Sequence, residues 1–209
     1  MRWEDTAIIL KTAKFGERSC IVTVLSQQHG MHKGLLKYGA PPLLGDIVHA
    51  AWAARLREQL GGWRLDVEFS YSAFFMRDKI KLSVFVFLCE VLCVLLDERT
   101  PYEHVFNSTI SLLEKLRTSK LFEEWIVDYL QFEDLLLKQA GFGYCESTNA
   151  INACITRSSQ HLDRDGKDIY DALMSNGALY EQILDQFPWV NSFRRKMIED
   201  IIEMLAHSK

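Results

Sequence analysis

Trp63-Arg64-Leu65-Asp66-Val67-Glu68-Phe69 alternates apolar and charged side chains without a break. Successive side chains of an extended chain point to opposite faces. Trp63, Leu65, Val67 and Phe69 therefore share one face, and Arg64, Asp66 and Glu68 the other. Upstream, further runs rich in β-branched residues have the same strand-like character: Thr6-Ala7-Ile8-Ile9-Leu10, Ser19-Cys20-Ile21-Val22-Thr23-Val24-Leu25, Lys33-Gly34-Leu35-Leu36-Lys37-Tyr38 and Asp46-Ile47-Val48-His49-Ala50-Ala51-Trp52. Turn residues separate them at Phe15-Gly16-Glu17, His29-Gly30, Gly39 through Gly45 with Pro41-Pro42, and Gly61-Gly62. Short strands in such succession predict a small closed or partly closed barrel, because closure removes edges that an open sheet would have to protect.

After Met76 the period changes from two to about 3.6 residues. Lys81 to Asp97 is apolar nearly all round, as in a helix buried on several sides. Thr100-Pro101-Tyr102-Glu103 predicts a helix start, with a capping Thr, Pro in the first turn and Glu three residues on. Another helix is expected from Ser119, with apolar positions at Phe122, Trp125, Ile126, Tyr129, Phe132 and Leu136, and a stop at Gly141. Residues 142–163 are rich in Ser, Thr and Asn and predict an irregular connector. A last helix is expected after Asn191, with Ile198, Ile201, Ile202 and Leu205 on one stripe. The fold class is thus α+β: a five-stranded barrel over 1–76, then an all-α domain over 77–209.

The 209 residues are 48% apolar and 25% charged, the balance of a globular protein. The formal net charge is −4, but residues 1–75 hold 9 basic and 7 acidic side chains against 15 and 21 in the remainder. Any polyanion contact is therefore expected in the first third. The most apolar run, Leu82 to Leu96, is 15 residues long and contains Glu90, too short for a membrane span. The opening Met1-Arg2-Trp3-Glu4-Asp5 lacks the basic start of a leader segment. Five scattered cysteines (Cys20, Cys89, Cys93, Cys145 and Cys154) form no disulfide framework and point to a reduced, cytoplasmic compartment.

Enzyme signatures are absent: there is no phosphate-cradling glycine loop, nucleophile elbow or metalloprotease pair. No catalytic residue and no cofactor is expected. The carboxylate pairs Asp97-Glu98, Glu123-Glu124 and Glu133-Asp134 are expected on solvated helix faces. His29 and His32 are expected as solvent-facing turn residues, not metal ligands. Cys89 and Cys93 share a helix face among apolar neighbours and are expected to be inert. Cys145 and Cys154, even with His161, do not complete a tetrahedral zinc set. The barrel cations are more informative. Lys11, Lys14 and Arg18 flank the first turn, Lys33 and Lys37 lie on the third strand beside Tyr38, and Arg55 follows the fourth. Single-stranded nucleic acid is held by cations along its phosphates and by rings against its bases. Arg194-Arg195-Lys196 forms a second basic cluster, expected near a helix N-terminus. An anionic partner there is one reading and ordinary surface charge the other.

The order of these features resembles the bacterial DNA repair and recombination-mediator family RecO. The residues that carry the resemblance are Trp3-Glu4-Asp5-Thr6-Ala7-Ile8-Ile9-Leu10, Phe15-Gly16-Glu17-Arg18-Ser19, Leu25-Ser26-Gln27-Gln28-His29-Gly30, and Gly34-Leu35-Leu36-Lys37-Tyr38-Gly39-Ala40. Gly45-Asp46-Ile47-Val48, Trp52-Ala53-Ala54-Arg55-Leu56, and Phe132-Glu133-Asp134-Leu135-Leu136-Leu137 with Gly141-Phe142-Gly143 continue it. The resemblance implies an N-terminal OB-fold joined to a helical domain, with a degenerate cysteine region at about 142–163. It implies binding of single- and double-stranded DNA, annealing of complementary strands, and help in exchanging single-strand-binding protein for the recombinase. Implied partners are the recombination protein RecR and the C-terminal tail of single-strand-binding protein, in the cytoplasm at the nucleoid. Lys11, Lys14, Arg18, Lys33, Lys37 and Arg55 would neutralise phosphates, and Tyr38 would stack. Two departures stand out. Pro41-Pro42-Leu43-Leu44 replaces the family's basic loop, which predicts fewer phosphate contacts and a shallower salt dependence. Only Cys145 and Cys154 stand where many relatives carry four cysteines. An adaptor that keeps its protein contacts and binds little DNA is the rival expectation.

Overall fold

The computed structural model describes residues 1–37, 40–56, 59–141 and 167–207. The five expected strands form as β1 (Arg2–Lys14), β2 (Ser19–Ser26), β3 (Gly30–Lys37), β4 (Asp46–Ala53) and β5 (Gly61–Ser70). They close into a barrel in the order β1-β2-β3-β5-β4. All pairs are antiparallel except β3–β5, which runs parallel. This five-stranded closed barrel, followed by helices, has the OB-fold architecture. Strand β1 extends beyond the apolar run Thr6–Leu10 in both directions. Its register jumps from Ile9↔Val24 to Lys11↔Thr23, which leaves Leu10 as the extra residue of a bulge. Ala7, Ile8, Ile9 and Leu10 are all fully buried, so this stretch is covered on both faces and cannot alternate. A second bulge places Val67 opposite Val48 and Phe69 opposite Ile47. Val67 keeps the register of Trp63 and Leu65 but is 56% exposed.

Inside the barrel, Ala7, Ile9, Val22, Val24, Val48, Ala50, Trp52 and Trp63 form one apolar core, with Trp3 packed at its margin. The three indoles stand in one cross-strand row, Trp3 opposite Trp52 and Trp52 opposite Trp63. Trp52 Nε1 donates to the Lys33 carbonyl (3.3 Å) and Trp63 Nε1 to the Val22 carbonyl (3.0 Å). Gly61 makes room for this row: a Cβ there would lie 2.1 Å from Trp52 Nε1. The two turn histidines also belong to it, contrary to the solvent-facing expectation. His29 stacks on Trp3 at 4.4 Å and 4°. His32 is buried, with its ring edge-on to Trp3 and Trp52.

The helices are α1 (Ser72–Phe75), α2 (Lys79–Leu95), α3 (Glu103–Thr118), α4 (Ile126–Gln139), α5 (Lys167–Ile183) and α6 (Pro188–His207). Helix α3 starts later than its capping signal predicts. Its first carbonyl is that of Tyr102, which accepts from Phe106 N–H, while Thr100 is drawn against the Gly30 turn. The helix expected from Ser119 begins as a 3-10 turn at Phe122–Glu124. Glu124 there accepts from the Lys120 and Leu121 amides, which hold its carboxyl below the usual range. Helix α5 was not anticipated. Its buried Ile169, Ala172, Leu173, Asn176 and Tyr180 follow helical spacing, but the polar connector just before them masks the onset. Helix α6 starts at Pro188 instead of after Asn191.

Two compact units result, one of Met1–Asp78 with Leu88–Asn107 and one of Lys79–Phe87 with Ser108–Lys209. In the second unit two sequence expectations are reversed. Glu133, expected on a solvated face, and Arg194, expected in a basic cluster near a helix start, are both buried and paired with each other. Arg194 Nε and Nη2 reach the two carboxylate oxygens at 3.1 and 3.2 Å. Tyr129 Oη and Asn176 Nδ2 donate to the same carboxylate at 2.6 and 2.9 Å. Arg195 pairs with Glu181 and Lys196 with Asp200, so each cation of that cluster has an acid of its own chain. The reading of an anionic partner there loses its basis, since Arg194 lies in the second turn of α6, away from the helix start; the alternative of ordinary surface charge fails for Arg194, which is buried.

Two measurements test this account. Glu133→Leu strands a buried guanidinium and should cost about 3–5 kcal/mol in urea unfolding, whereas Glu133→Leu with Arg194→Met should recover most of it. A double variant as unstable as the single one would show that the pair's charge is not what matters. Burial holds the His32 pKa below its ordinary value, with Arg99 and His29 acting the same way and the Gly30 carbonyl and Glu98 opposing. The unfolded ring binds its proton first, at about pH 6.5. Stability is therefore complete above that pH and declines as pH falls towards the folded value. The melting temperature should drop between pH 7.5 and 5.5, and His32→Phe should flatten the drop.

Candidate nucleic-acid interface

The structure divides the expected cations into three groups. Lys11 and Lys33 come together as a cross-strand row, since Thr23 of β2 stands opposite both. Each is met by a carboxylate of the same unit. Lys11 Nζ donates to both oxygens of Glu90 at 3.1 and 2.9 Å, and Lys33 Nζ bonds Glu98. Both lysines remain about half exposed, a setting in which such pairs contribute roughly 0–1 kcal/mol. Beneath them, burial and the neighbouring Glu90 push the Cys93 thiol up to about 12, against the opposing pull of Lys11 and Lys33. Cys89 is fully buried and its thiol is also raised, chiefly by burial. Neither cysteine is a thiolate at neutral pH, which matches the inert reading.

Lys14 and Arg18 form the second group, at the turn between β1 and β2. They line a pocket of about 380 Å³ whose apolar wall includes Cys20, Leu36 and Pro41 and whose one acid among the described residues is Glu17. Lys37 stands on the adjoining strand, opposite Ser19. Between Lys14 and Arg18 the Phe15 ring is 54% exposed, although its amide closes the turn onto the Ser19 carbonyl at 2.9 Å. Sequence reading took Phe15 only as a turn residue. An aromatic residue flanked by Lys14 and Arg18 at a hairpin tip was the available signal.

Arg55 follows β4, where Ala53 pairs with Arg2, so it lies at the opposite end of β1 from Lys14. A cleft of about 620 Å³ opens at that end, lined by Arg2, Trp3, Trp52, Trp63 and Arg64 among others. Arg2 and Arg64 were not singled out from the sequence, because isolated arginines on alternating strands look like ordinary surface charge. Arg64 is 71% exposed and only loosely paired with Glu4 (4.0 Å) and Asp66 (3.9 Å). Tyr38, Cys145, Cys154 and His161 lie outside the described residues, as does the connector expected at 142–163. Among the described residues no three His, Cys, Asp or Glu side chains gather to hold a metal ion, and no helix is long and apolar enough to cross a membrane.

The arrangement suits a flexible polyanion with exposed rings: cations at both ends of the barrel, each group beside aromatic side chains. Comparison with known proteins gives the lineage. Residues 1–42 match the family model for the recombination protein O N terminal domain, and residues 76–177 the model for the recombination protein O C terminal domain. The chain is 36% identical to the DNA repair protein RecO of Rhodospirillum centenum, over 68% of this chain and 58% of that protein. Against the DNA repair protein RecO of Jannaschia the identity is 32%, over 99% of this chain and 84% of the relative. Against that of Ehrlichia chaffeensis it is 28%, over 73% and 63%. The matches thus span 58% of the first of these relatives, 84% of the second and 63% of the third. With both domain models matched in order on a closed five-stranded barrel and its following helices, the chain belongs to the recombination protein O (RecO) family.

Proposed function

We propose that this protein is a non-catalytic recombination mediator in DNA repair. It binds single- and double-stranded DNA through the barrel, anneals complementary strands, and helps load recombinase on DNA coated by single-strand-binding protein. On this reading residues 1–76 are the nucleic-acid domain. The helical domain over 77–209 docks proteins, with RecR and the C-terminal tail of single-strand-binding protein as partners, in the cytoplasm at the nucleoid. The family membership supports the repair role. The observation that supports DNA binding is the placement of Lys14 and Arg18 in one pocket at the β1–β2 turn, with Lys37 on the adjoining strand opposite Ser19 and the exposed Phe15 in the same turn. Contacts of this kind grip phosphates and stack on any base, so little sequence preference follows.

The rival reading, an adaptor with little DNA binding of its own, rests on the ion pairs of Lys11 with Glu90 and Lys33 with Glu98. These carboxylates occupy the positions that phosphates would need. A salt titration of oligo(dT) binding separates the two readings. The mediator binds at low salt and loses affinity with a slope of about −0.7 for each phosphate neutralised. The adaptor shows no binding at any salt.

Three outcomes are expected. Lys14→Ala/Arg18→Ala/Lys37→Ala should weaken binding and reduce the slope by about 2, at three phosphates and ~0.7 each. Glu90→Gln/Glu98→Gln frees Lys11 and Lys33 and should tighten binding with a steeper slope; unchanged affinity would exclude those lysines from the interface. In a strand-annealing assay the wild-type protein should accelerate annealing of complementary strands both bare and coated with single-strand-binding protein. Failure on both substrates would favour the adaptor.

A further inference from the structure

Within the barrel unit, the β2–β3 turn and the residues after α2 enclose a second aromatic site, distinct from the Lys14–Phe15–Arg18 turn. It is a pocket of about 170 Å³ whose walls include Trp3, His29, His32, Trp52, Arg99 and Pro101. This is below the ~300–1,000 Å³ typical of pockets for drug-sized ligands, and room for a single ring system. Three features show that the site is built and held. His29 is fixed as a stacking surface: its ring lies flat on Trp3 at 4.4 Å, and its Nδ1 is 3.3 Å from Asp5 Oδ2. The same Asp5 oxygen accepts the Gln28 amide at 2.7 Å, which pins the turn.

The segment after α2 that completes the wall is also held in place. Gly30 packs so closely on the Thr100 carbonyl that a Cβ would overlap it, at 1.8 Å. Arg99 is the only non-glycine residue among those described with positive φ (64°), and its amide donates to the Met31 carbonyl at 2.8 Å. A left-handed conformation costs a non-glycine residue of order 1–2 kcal/mol, and such strain persists where the surroundings impose it. Here it fixes the Arg99 backbone at the pocket wall. Finally, His32 is 6% exposed and backs this wall, its ring edge-on to Trp3 and Trp52.

A flat aromatic stack and the Arg99 guanidinium, whose Nη2 also reaches the Gln59 carbonyl at 3.4 Å, together match one chemical unit, a planar heterocycle carrying an anion. We propose that this pocket takes one unstacked nucleotide of single-stranded DNA, with its base on the Trp3–His29 stack and its phosphate at the Arg99 guanidinium. This rests on the reading of the protein as DNA-binding and gives that reading a second anchor point. The pocket shares Trp3 and Trp52 with the larger cleft carrying Arg2 and Arg64.

The test uses the full chain and oligo(dT), titrated at several salt concentrations. Arg99→Gly removes the guanidinium and suits the positive φ, so it should melt no lower than wild type. It should nevertheless bind about fivefold more weakly near 0.1 M salt, with a slope shallower by about 0.7, the signature of one lost phosphate contact. Arg99→Lys should restore the slope. His29→Ala should weaken binding by roughly tenfold with the slope unchanged, because stacking releases no counterions. If wild type binds and both Arg99→Gly and His29→Ala keep its affinity and slope, the pocket is not a nucleotide site, while DNA binding by the barrel stands. If wild type fails to bind at low salt, both fall.

Discussion

Among the described residues two pairs close the barrel, Gly34 with Gly61 and Leu35 with Gly62, in the parallel contact of β3 with β5. So short a seam would leave two strand edges free to pair elsewhere. The buried indoles brace it from inside. Trp52 on β4 bonds the Lys33 carbonyl of β3, and Trp63 on β5 bonds the Val22 carbonyl of β2. Each such bond contributes about 1 kcal/mol net, and burial of the two ring systems contributes several times that. Gly61 is part of the same device, because the Trp52 ring occupies the space a side chain would need. The Trp3–His29–His32 cluster grows directly from this row, so barrel closure and pocket formation have one physical origin.

Charge is arranged on the barrel less simply than its slight basic excess suggests. Cations that stand side by side on β1 and β3 are neutralised by Glu90 and Glu98, whereas those at the β1–β2 turn have, among the described residues, a single acid, Glu17, in their pocket. Exposed pairs of this type are weak, so a phosphate can compete for Lys11 and Lys33 at little cost.

The helical unit is organised around a different constraint. A carboxylate with four donor contacts from three side chains lies wholly buried at Glu133. Taking such a pair out of water costs several kcal/mol per ion before any attraction is counted, so its geometry has to be satisfied nearly completely. Arg194 also donates to the Leu173 carbonyl and lies 5.0 Å from the Tyr180 ring centroid. Helices α4, α5 and α6 are thereby held in one register by groups 43 and 61 residues apart in the chain. Generic apolar packing would not choose that register.

Periodicity and turn residues determined the number, order and approximate limits of the strands, the barrel, and the change to helix near Met76, because these depend on contacts between near neighbours. The stripe of α4 was legible for the same reason. Local signals failed where distant segments intervene: Thr100 looked like a cap but is held against Gly30, and Glu133 and Arg194 looked like surface charges but meet inside the fold. The candidate interface divides along the same line. Residue types and their clustering along the chain marked Lys14, Arg18 and Lys37. Only three-dimensional closure could pair Lys11 with Glu90 and Lys33 with Glu98, expose Phe15, and bring His29, His32 and Arg99 around Trp3. A side chain's chemistry is written at its own position, but whether its charge is free, neutralised or buried depends on neighbours that the chain brings in from as far as 79 residues away.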